Sequence, residues 1–519
     1  MTGLTRLRAT GVAALVMTAT AFSFAQQQSS PQPKGSQQAA DAAVKPEIRM
    51  TQQQAKELFL SVDTILQFAS TDSQLVIKSR VKRRLTSRDA VEKYLVDKMK
   101  EDKDAKRMER SEIVLKKFGL LDQDFHLQPF LVSLLKEQIA GYYDSKTKTV
   151  NLLDWIEPDT QKPVLAHELT HALQDQRINL EKWEDTAEDD LSHNVTEDNQ
   201  HIATDEQDTA REAVLEGQAM AVLVDYSLKP MGQSIMSNPE LVKNRADEQT
   251  ADSDSPVLER APLLLQEALL FPYRDGLKFE IDLLKDKGPA GAFGGVLDRP
   301  PATSFEIMNP HAYEGRVKVP VLKMPDVHPL LDSDYSPYDI GVMGQLDVRI
   351  LSELFGGEEK AALFTKAWNG GIYYAAQKKS APDKSSTGSI SLIYLSQWRS
   401  PEVASAFAKM YADELGKQYS GVKRDADTES DASEQIFKTN EGPVLIATTG
   451  NTVFVSESFD LNMARKLEFL MLGAQEGAGH GQAIASVSTG HALTGGMVNF
   501  FAGCGLMRAA IPRGAAHLY

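Results

Sequence analysis

Residues Val164-Leu165-Ala166-His167-Glu168-Leu169-Thr170-His171-Ala172-Leu173-Gln174-Asp175-Gln176 place two histidines and a glutamate inside an apolar run. Val164, Leu165, Leu169 and Leu173 recur at helical spacing, and Pro163 reads as the opening of a helix, with Asp159 and Thr160 as candidate caps. At about 100° per residue, His167 and His171 lie about 40° apart on one face and one turn apart in height. Both imidazoles can therefore reach one tetrahedral zinc ion. Glu168 falls about 60° from His171, at the edge of that face, where it can touch a water without displacing a ligand. For this reason His-Glu-x-x-His on a helix reads as two zinc ligands and a general base. The four-letter motif also arises by chance, and its apolar helical setting gives it weight here.

Cys504 is the single cysteine, which excludes an internal disulfide and a thiolate-rich metal site. A metal in this chain must be held by histidine and carboxylate. The 519 residues are 42% hydrophobic and 25% charged, the balance of a globular protein of several domains. A net charge of −16 argues against nucleic acid as a partner, because phosphate binding needs a basic surface. At the N-terminus, Arg6 and Arg8 precede an apolar run to Phe24, and Ser23-Phe24-Ala25 offers small residues for cleavage. Residues 1–25 thus read as a secretory signal peptide, too short for a comfortable membrane span. The expectation is an exported chain, periplasmic or extracellular, with no stable membrane span after cleavage.

Residues 26–50, rich in Gln, Ser, Pro and Ala, read as a disordered linker. Residues 51–137 follow a helical pattern, and the dense charges between Lys78 and Lys117 read as solvated helix faces. Gly141 to Leu153 reads as a hairpin, with β-branched and aromatic residues around an Asp-Ser-Lys turn. Residues 181–208 hold eleven acidic residues and one basic one and are expected to be an exposed loop. A helix is predicted over 209–228, a polar loop over 229–260 and another helix through 263–270. From 321 to 475 the pattern alternates between helix and strand. Helices are predicted at 341–355, 401–415 and 460–472, with strands near Ile372, Ile390, Val444 and Val453. The fold class expected is α+β: a mainly helical domain over 138–320 with a small sheet, N-terminal helices before it and an α+β domain after it. The Gly/Ala-rich residues 476–519 are expected to be poorly ordered.

Catalytic zinc keeps three protein ligands and an open position. Two glutamates downstream, Glu212 and Glu216 in Arg211-Glu212-Ala213-Val214-Leu215-Glu216-Gly217-Gln218-Ala219-Met220, share one helix face, so spacing alone does not choose between them. Gly217 and Ala219 are small enough to let the second helix approach the first. Taken together, these segments resemble a gluzincin-type zinc metallopeptidase of the peptidase MA clan. Leu215-Glu216-Gly217-Gln218-Ala219 is similar to the third-ligand segment of aminopeptidase-N-like and thermolysin-like enzymes. His-Glu-Leu-Thr-His-Ala-Leu-Gln-Asp-Gln with Glu-Gly-x-Ala is closer to a family of bacterial predicted metallopeptidases. Gly141-Tyr142-Tyr143-Asp144, Phe271-Pro272-Tyr273-Arg274-Asp275-Gly276 and Pro300-Pro301-Ala302-Thr303-Ser304-Phe305-Glu306 also fit that family, with a weaker echo at Trp368-Asn369-Gly370-Gly371. The chain departs from it at Asn309, where a histidine before Pro310 is expected, and lacks the thermolysin-type Ser-Asp after the ligand glutamate.

The resemblance implies a zincin-like catalytic domain, one zinc ion held by His167, His171 and Glu216, and a peptide or protein substrate. It also implies an edge strand from the hairpin that pairs with extended peptide. Glu168 is the expected general base, taking a proton from water and passing it to the leaving amine. Tyr273, Tyr313, His311 and Tyr142 are candidate donors to the oxyanion, Tyr273 supported by its family-type segment. Asp175, one turn past His171, is either a partner for an imidazole N–H or a solvent-facing residue. Two other readings stand beside the peptidase: a degenerate zinc-binding scaffold, and a metal-dependent hydrolase of non-peptide bonds.

Overall fold

The structure, a computed structural model, describes residues 49–101, 103–184, 194–248 and 256–476. The expected signal peptide, all but the last two residues of the expected linker, and the tail after 476 lie outside the described residues, as does Cys504. The chain is α+β, with helix predominating. Among the described residues no helix is long and apolar enough to cross a membrane.

The N-terminal stretch forms α1 (Gln52–Ser73), β1 (Lys82–Thr86), α2 (Arg88–Glu101), α3 (Lys103–Lys117) and α4 (Leu127–Gln138). Thr51 and Gln54 close a reciprocal capping box at the start of α1. Strand β1 interrupts the helical pattern. Its Lys-Arg-Arg-Leu-Thr sequence has no apolar alternation, and it is held by main-chain pairing to a later strand.

That strand belongs to the hairpin of β2 (Tyr142–Asp144) and β3 (Thr149–Leu153), followed by α5 (Pro158–Ile178). Strand β3 lies centrally, parallel to β1 and antiparallel to β2. Helix α5 starts five residues before Pro163, at Pro158, and Pro163 sits inside it. The Gln161 side chain explains the early start: it accepts from Leu153 N (2.9 Å) and donates to Leu153 O and Ile156 O (2.8 Å each), fastening the end of β3 to the first turns of α5. The helices α6 (Leu180–Glu184), α7 (Val195–Thr204), α8 (Gln207–Leu228), α9 (Pro239–Glu248) and α10 (Leu263–Pro289) follow. Four short helices come next: α11 (Val296–Asp298), α12 (Ser304–Met308), α13 (Pro310–Glu314) and α14 (His328–Leu331). Helix α1 packs on α5 and α8 with Leu58, Val62, Ile65, Leu66 and Ala69 buried.

Residues 185–193 of the expected exposed acidic loop lie outside the described residues, and over the described remainder a loop is not what forms. Beyond 193 its residues build α7 and the start of α8, and Asp198, Asp205, Glu206 and Asp208 are buried. Distant partners make this tolerable. Asp198 meets His328 Nε2 at 3.0 Å, Asp205 accepts from Val342 N at 2.6 Å, and Glu206 accepts from the Ser304 main chain at 3.2 Å and from its hydroxyl. The expected polar loop after 228 likewise contains α9, with Asn238 accepting from Leu241 N at 3.3 Å and Pro239 in first place. Lys117 departs from the solvated faces expected around it. Its ammonium is fully buried, 2.7 Å from both Glu441 Oε2 and Ser458 Oγ.

The C-terminal elements are β4 (Tyr335–Val342), α15 (Gln345–Ala367), β5 (Trp368–Lys378), β6 (Ile390–Trp398) and α16 (Pro401–Asp413). They continue as β7 (Lys423–Arg424), β8 (Glu434–Thr439), β9 (Gly442–Thr449), β10 (Thr452–Glu457) and α17 (Leu461–Glu476). One antiparallel sheet of order β4-β5-β6-β10-β9-β8-β7 results. Alternation along its strands feeds two cores: Tyr373, Tyr394, Ile446 and Val455 join Phe407 and Tyr411 of α16, whereas Tyr374, Ile393, Leu445 and Phe454 join Leu467 and Met471 of α17.

Candidate metal centre

Helix α5 carries His167 and His171 one turn apart, and α8 crosses it with Glu216. The two Nε2 atoms are 2.9 Å apart, and the Glu216 carboxylate lies 3.0 Å from His167 Nε2 and 3.6 Å from His171 Nε2. His167 and Glu216 are almost wholly buried, and His171 is partly open, at 13% side-chain exposure. Three donor atoms therefore converge on one point at the edge of the interior. The donor set of two imidazoles and a carboxylate is the chemistry zinc takes with three protein ligands. It also makes the crowding of two ring nitrogens and a carboxylate intelligible, so the residues present fit the ion. Glu212 is buried as well, but the convergent group contains Glu216.

The α8 backbone reaches this position because α8 and α10 touch at glycine. A Cβ on Gly276 would lie 2.1 Å from Ala213 O, and a Cβ on Gly217 would lie 2.3 Å from the Gly276 carbonyl. Around this crossing the Phe271–Gly276 segment is locked down. Arg274 pairs with Glu267 (2.7 Å) and Asp275 (2.9 Å), and Arg349 of α15 binds Asp275 (3.1 Å) and Glu267 (3.2 Å). Tyr273, on the same segment, lays its ring nearly parallel to that of His167, with centroids 6.4 Å apart. The other oxyanion candidates sit elsewhere: Tyr313 donates to Arg299 O, Tyr142 stacks on Tyr94, and His311 is exposed. Asn309, the position that departs from the resemblance, donates to Phe305 O and Gln345 Oε1, 2.7 Å each.

Asp175 does not bind an imidazole. Gln174 does, its Oε1 lying 2.8 Å from His171 Nδ1, while its Nε2 donates to Leu215 O and Gln218 Oε1 on α8. With the amide oxygen as acceptor, Nδ1 carries the proton and Nε2 keeps its lone pair for the site. Gln174, three residues after His171 on the same face, is a partner that helical spacing alone offers and that the sequence reading passes over.

Glu168 is buried beside its two histidine neighbours. Its Oε2 accepts from Tyr143 N at 2.8 Å, and its Oε1 is buried with no hydrogen-bond partner among the described residues. With no metal bound, burial, opposed by His171 and helped by the nearby Glu216, lifts its pKa to about 7. Burial drives the His167 imidazole down to about 4. At His171 burial is outweighed by the Glu216 and Glu168 carboxylates, with Gln174, and the pKa rises to about 9 with no metal bound. Comparison with known protein families, curated proteins and solved structures finds no match.

Proposed function

We propose that the chain is a zinc-dependent metallopeptidase, exported from the cytoplasm, that hydrolyses peptide bonds. The observation that carries this reading is the convergence of His167, His171 and Glu216 beside a buried carboxylate, Glu168, with one oxygen unpartnered among the described residues. When bound, zinc supplies Lewis-acid chemistry, lowering the pKa of water and polarising a carbonyl. His167, His171 and Glu216 hold the ion, and Gln174 keeps the His171 tautomer that offers Nε2. Glu168 Oε1 takes the proton of the attacking water and returns it to the leaving amine. Tyr273, against His167, is the residue assigned to donate a hydrogen bond to the developing oxyanion. A scaffold that merely stores zinc has no use for a carboxylate buried beside the ligands with one oxygen unpartnered among the described residues, which favours an enzyme.

The test uses protein purified without chelator. Metal analysis should find about one zinc per chain, and a diverse peptide library should be cleaved, with cleavage stopped by chelator and restored by zinc. Peptides left intact while other amides are hydrolysed would move the protein to the non-peptide reading. Exported material should begin at Gln26 on N-terminal sequencing, and retention of Met1 there would overturn cleavage after Ala25.

A further inference from the structure

One residue of the hairpin, Tyr143, is held at both ends by the zinc-motif helix. Its main-chain N–H donates to Glu168 Oε2 at 2.8 Å, and its phenol donates to Asp175 Oδ2 at 2.7 Å. Glu168 and Asp175 are seven residues apart on α5, two turns along nearly the same face, so a tyrosine laid along that face reaches both. Asp175 is itself anchored. Its side chain is 2% exposed, accepts from Leu180 N at 3.1 Å, and meets Lys148 Nζ from the far side of the hairpin turn at 2.7 Å. Burial and the adjoining carboxylate hold the Tyr143 phenol protonated, as a permanent donor.

We propose that Asp175 is a positioning residue which, through the Tyr143 side chain, fixes the Tyr143 main-chain N–H onto Glu168 and so leaves Glu168 Oε1 as the oxygen that exchanges protons. The inference rests on the peptidase reading. A buried carboxylate with two equivalent oxygens can rotate about its terminal bond, and general-base catalysis needs one of them held toward the substrate. Here the main-chain donor fixes Oε2, so the other oxygen is committed to the site. Residue 143 lies on β2, an edge strand, and opposes Val150. In such a pair a residue's N–H and C=O point to the same side. With the N–H on Glu168, the Tyr143 carbonyl is the main-chain group this residue still offers to an extended substrate.

The experiment compares Tyr143→Phe, Asp175→Ala and Asp175→Asn in the full chain by two readouts. The first is amide hydrogen exchange of the metal-free protein, followed at residue 143. Tyr143→Phe and Asp175→Ala should each speed exchange there by tenfold or more, while Asp175→Asn, which keeps an acceptor, should stay nearer the parent. The second is hydrolysis of dye-labelled casein at matched zinc content. kcat should fall by about 10–100-fold with KM within twofold, because misplacing a catalytic group costs rate rather than binding. Tyr143→Phe combined with Asp175→Ala should lose no more than either alone. A staple that serves only the fold would lower the melting temperature and leave kcat and the exchange at 143 unchanged, and that result overturns the proposal. Tyr143→Phe removes one oxygen atom and carries the test if Asp175→Ala fails to fold. If the parent leaves casein and all peptides intact while exchange at 143 still depends on Asp175, the peptidase reading fails and the grip on Glu168 stands.

Discussion

The backbone of Gly217 lies against the backbone of Gly276, so closely that neither position has room for a methyl group. Gly217 directly follows Glu216, so the separation of α8 and α10 sets where that carboxylate sits relative to the two imidazoles. Gly217→Ala and Gly276→Ala should force the helices apart at a cost of about 1–3 kcal/mol. Zinc affinity should fall with them. Titration of the metal-free variants with zinc against a competing chelator measures it, and unchanged affinity in both would show that the crossing does not govern the ligand.

Glu168→Gln keeps the size of the side chain and an acceptor for Tyr143 N while removing the base. The expected outcome is about one zinc per chain and a loss of about 10²–10⁴ in peptide hydrolysis. His167→Ala, His171→Ala and Glu216→Ala should instead lose the metal, whereas Glu212→Ala should retain it. Zinc lost only in the Glu212 variant would move the ligand back one turn.

Gln174 holds the Nδ1 proton of His171 and ties α5 to α8 through Leu215 O and Gln218. Gln174→Leu leaves the imidazole free to rotate and to change tautomer. Zinc affinity should drop by about 10–100-fold, the usual cost of losing such a partner. Calorimetric titration with zinc reads this directly, and parental affinity in Gln174→Leu would dismiss the role.

Glu280 is buried on α10 with no hydrogen-bond partner for either oxygen among the described residues, and burial lifts its pKa from 4.5 to about 8. A folded-state value above the unfolded one means that the folded protein holds the proton more tightly. The associated stability is fully present below about pH 4.5 and is lost as pH rises through about 8, with a slope near 1.4 kcal/mol per pH unit between them. Glu280→Gln should therefore shift the urea midpoint more favourably at pH 8.5 than at pH 5. A difference independent of pH would mean that Glu280 does not titrate in this window.

Helix α5 and its histidine pair are legible because apolar spacing and motif report the same face, and the strands near Ile372, Ile390, Val444 and Val453 are legible because their residues are branched or aromatic. The buried acids are not. Nothing local distinguishes Asp198 or Asp205 from solvated carboxylates, since their partners, His328 and Val342 N, lie 130 and 137 residues away. Lys117 hides for the same reason, its carboxylate partner being 324 residues along the chain. Strand β1 has no apolar alternation to announce it, whereas α9 carries an Asn-Pro start signal at Asn238-Pro239 that the polar composition around it masks.

Strand β1 and the Lys117 ammonium bear on how the proposed peptidase could be switched on. Strand β1 is one edge of the sheet beside the zinc motif, α1 covers α5, and Lys117 neutralises Glu441 inside the C-terminal half. Trimming the chain to begin near residue 139 would strip that edge, uncover the apolar back of α5 and leave the part-buried Glu441 carboxylate without its cation. On the proposed peptidase reading these helices belong to the folded unit that carries the metal centre, and activation by proteolytic removal of residues 52–138 would cost the protein that support.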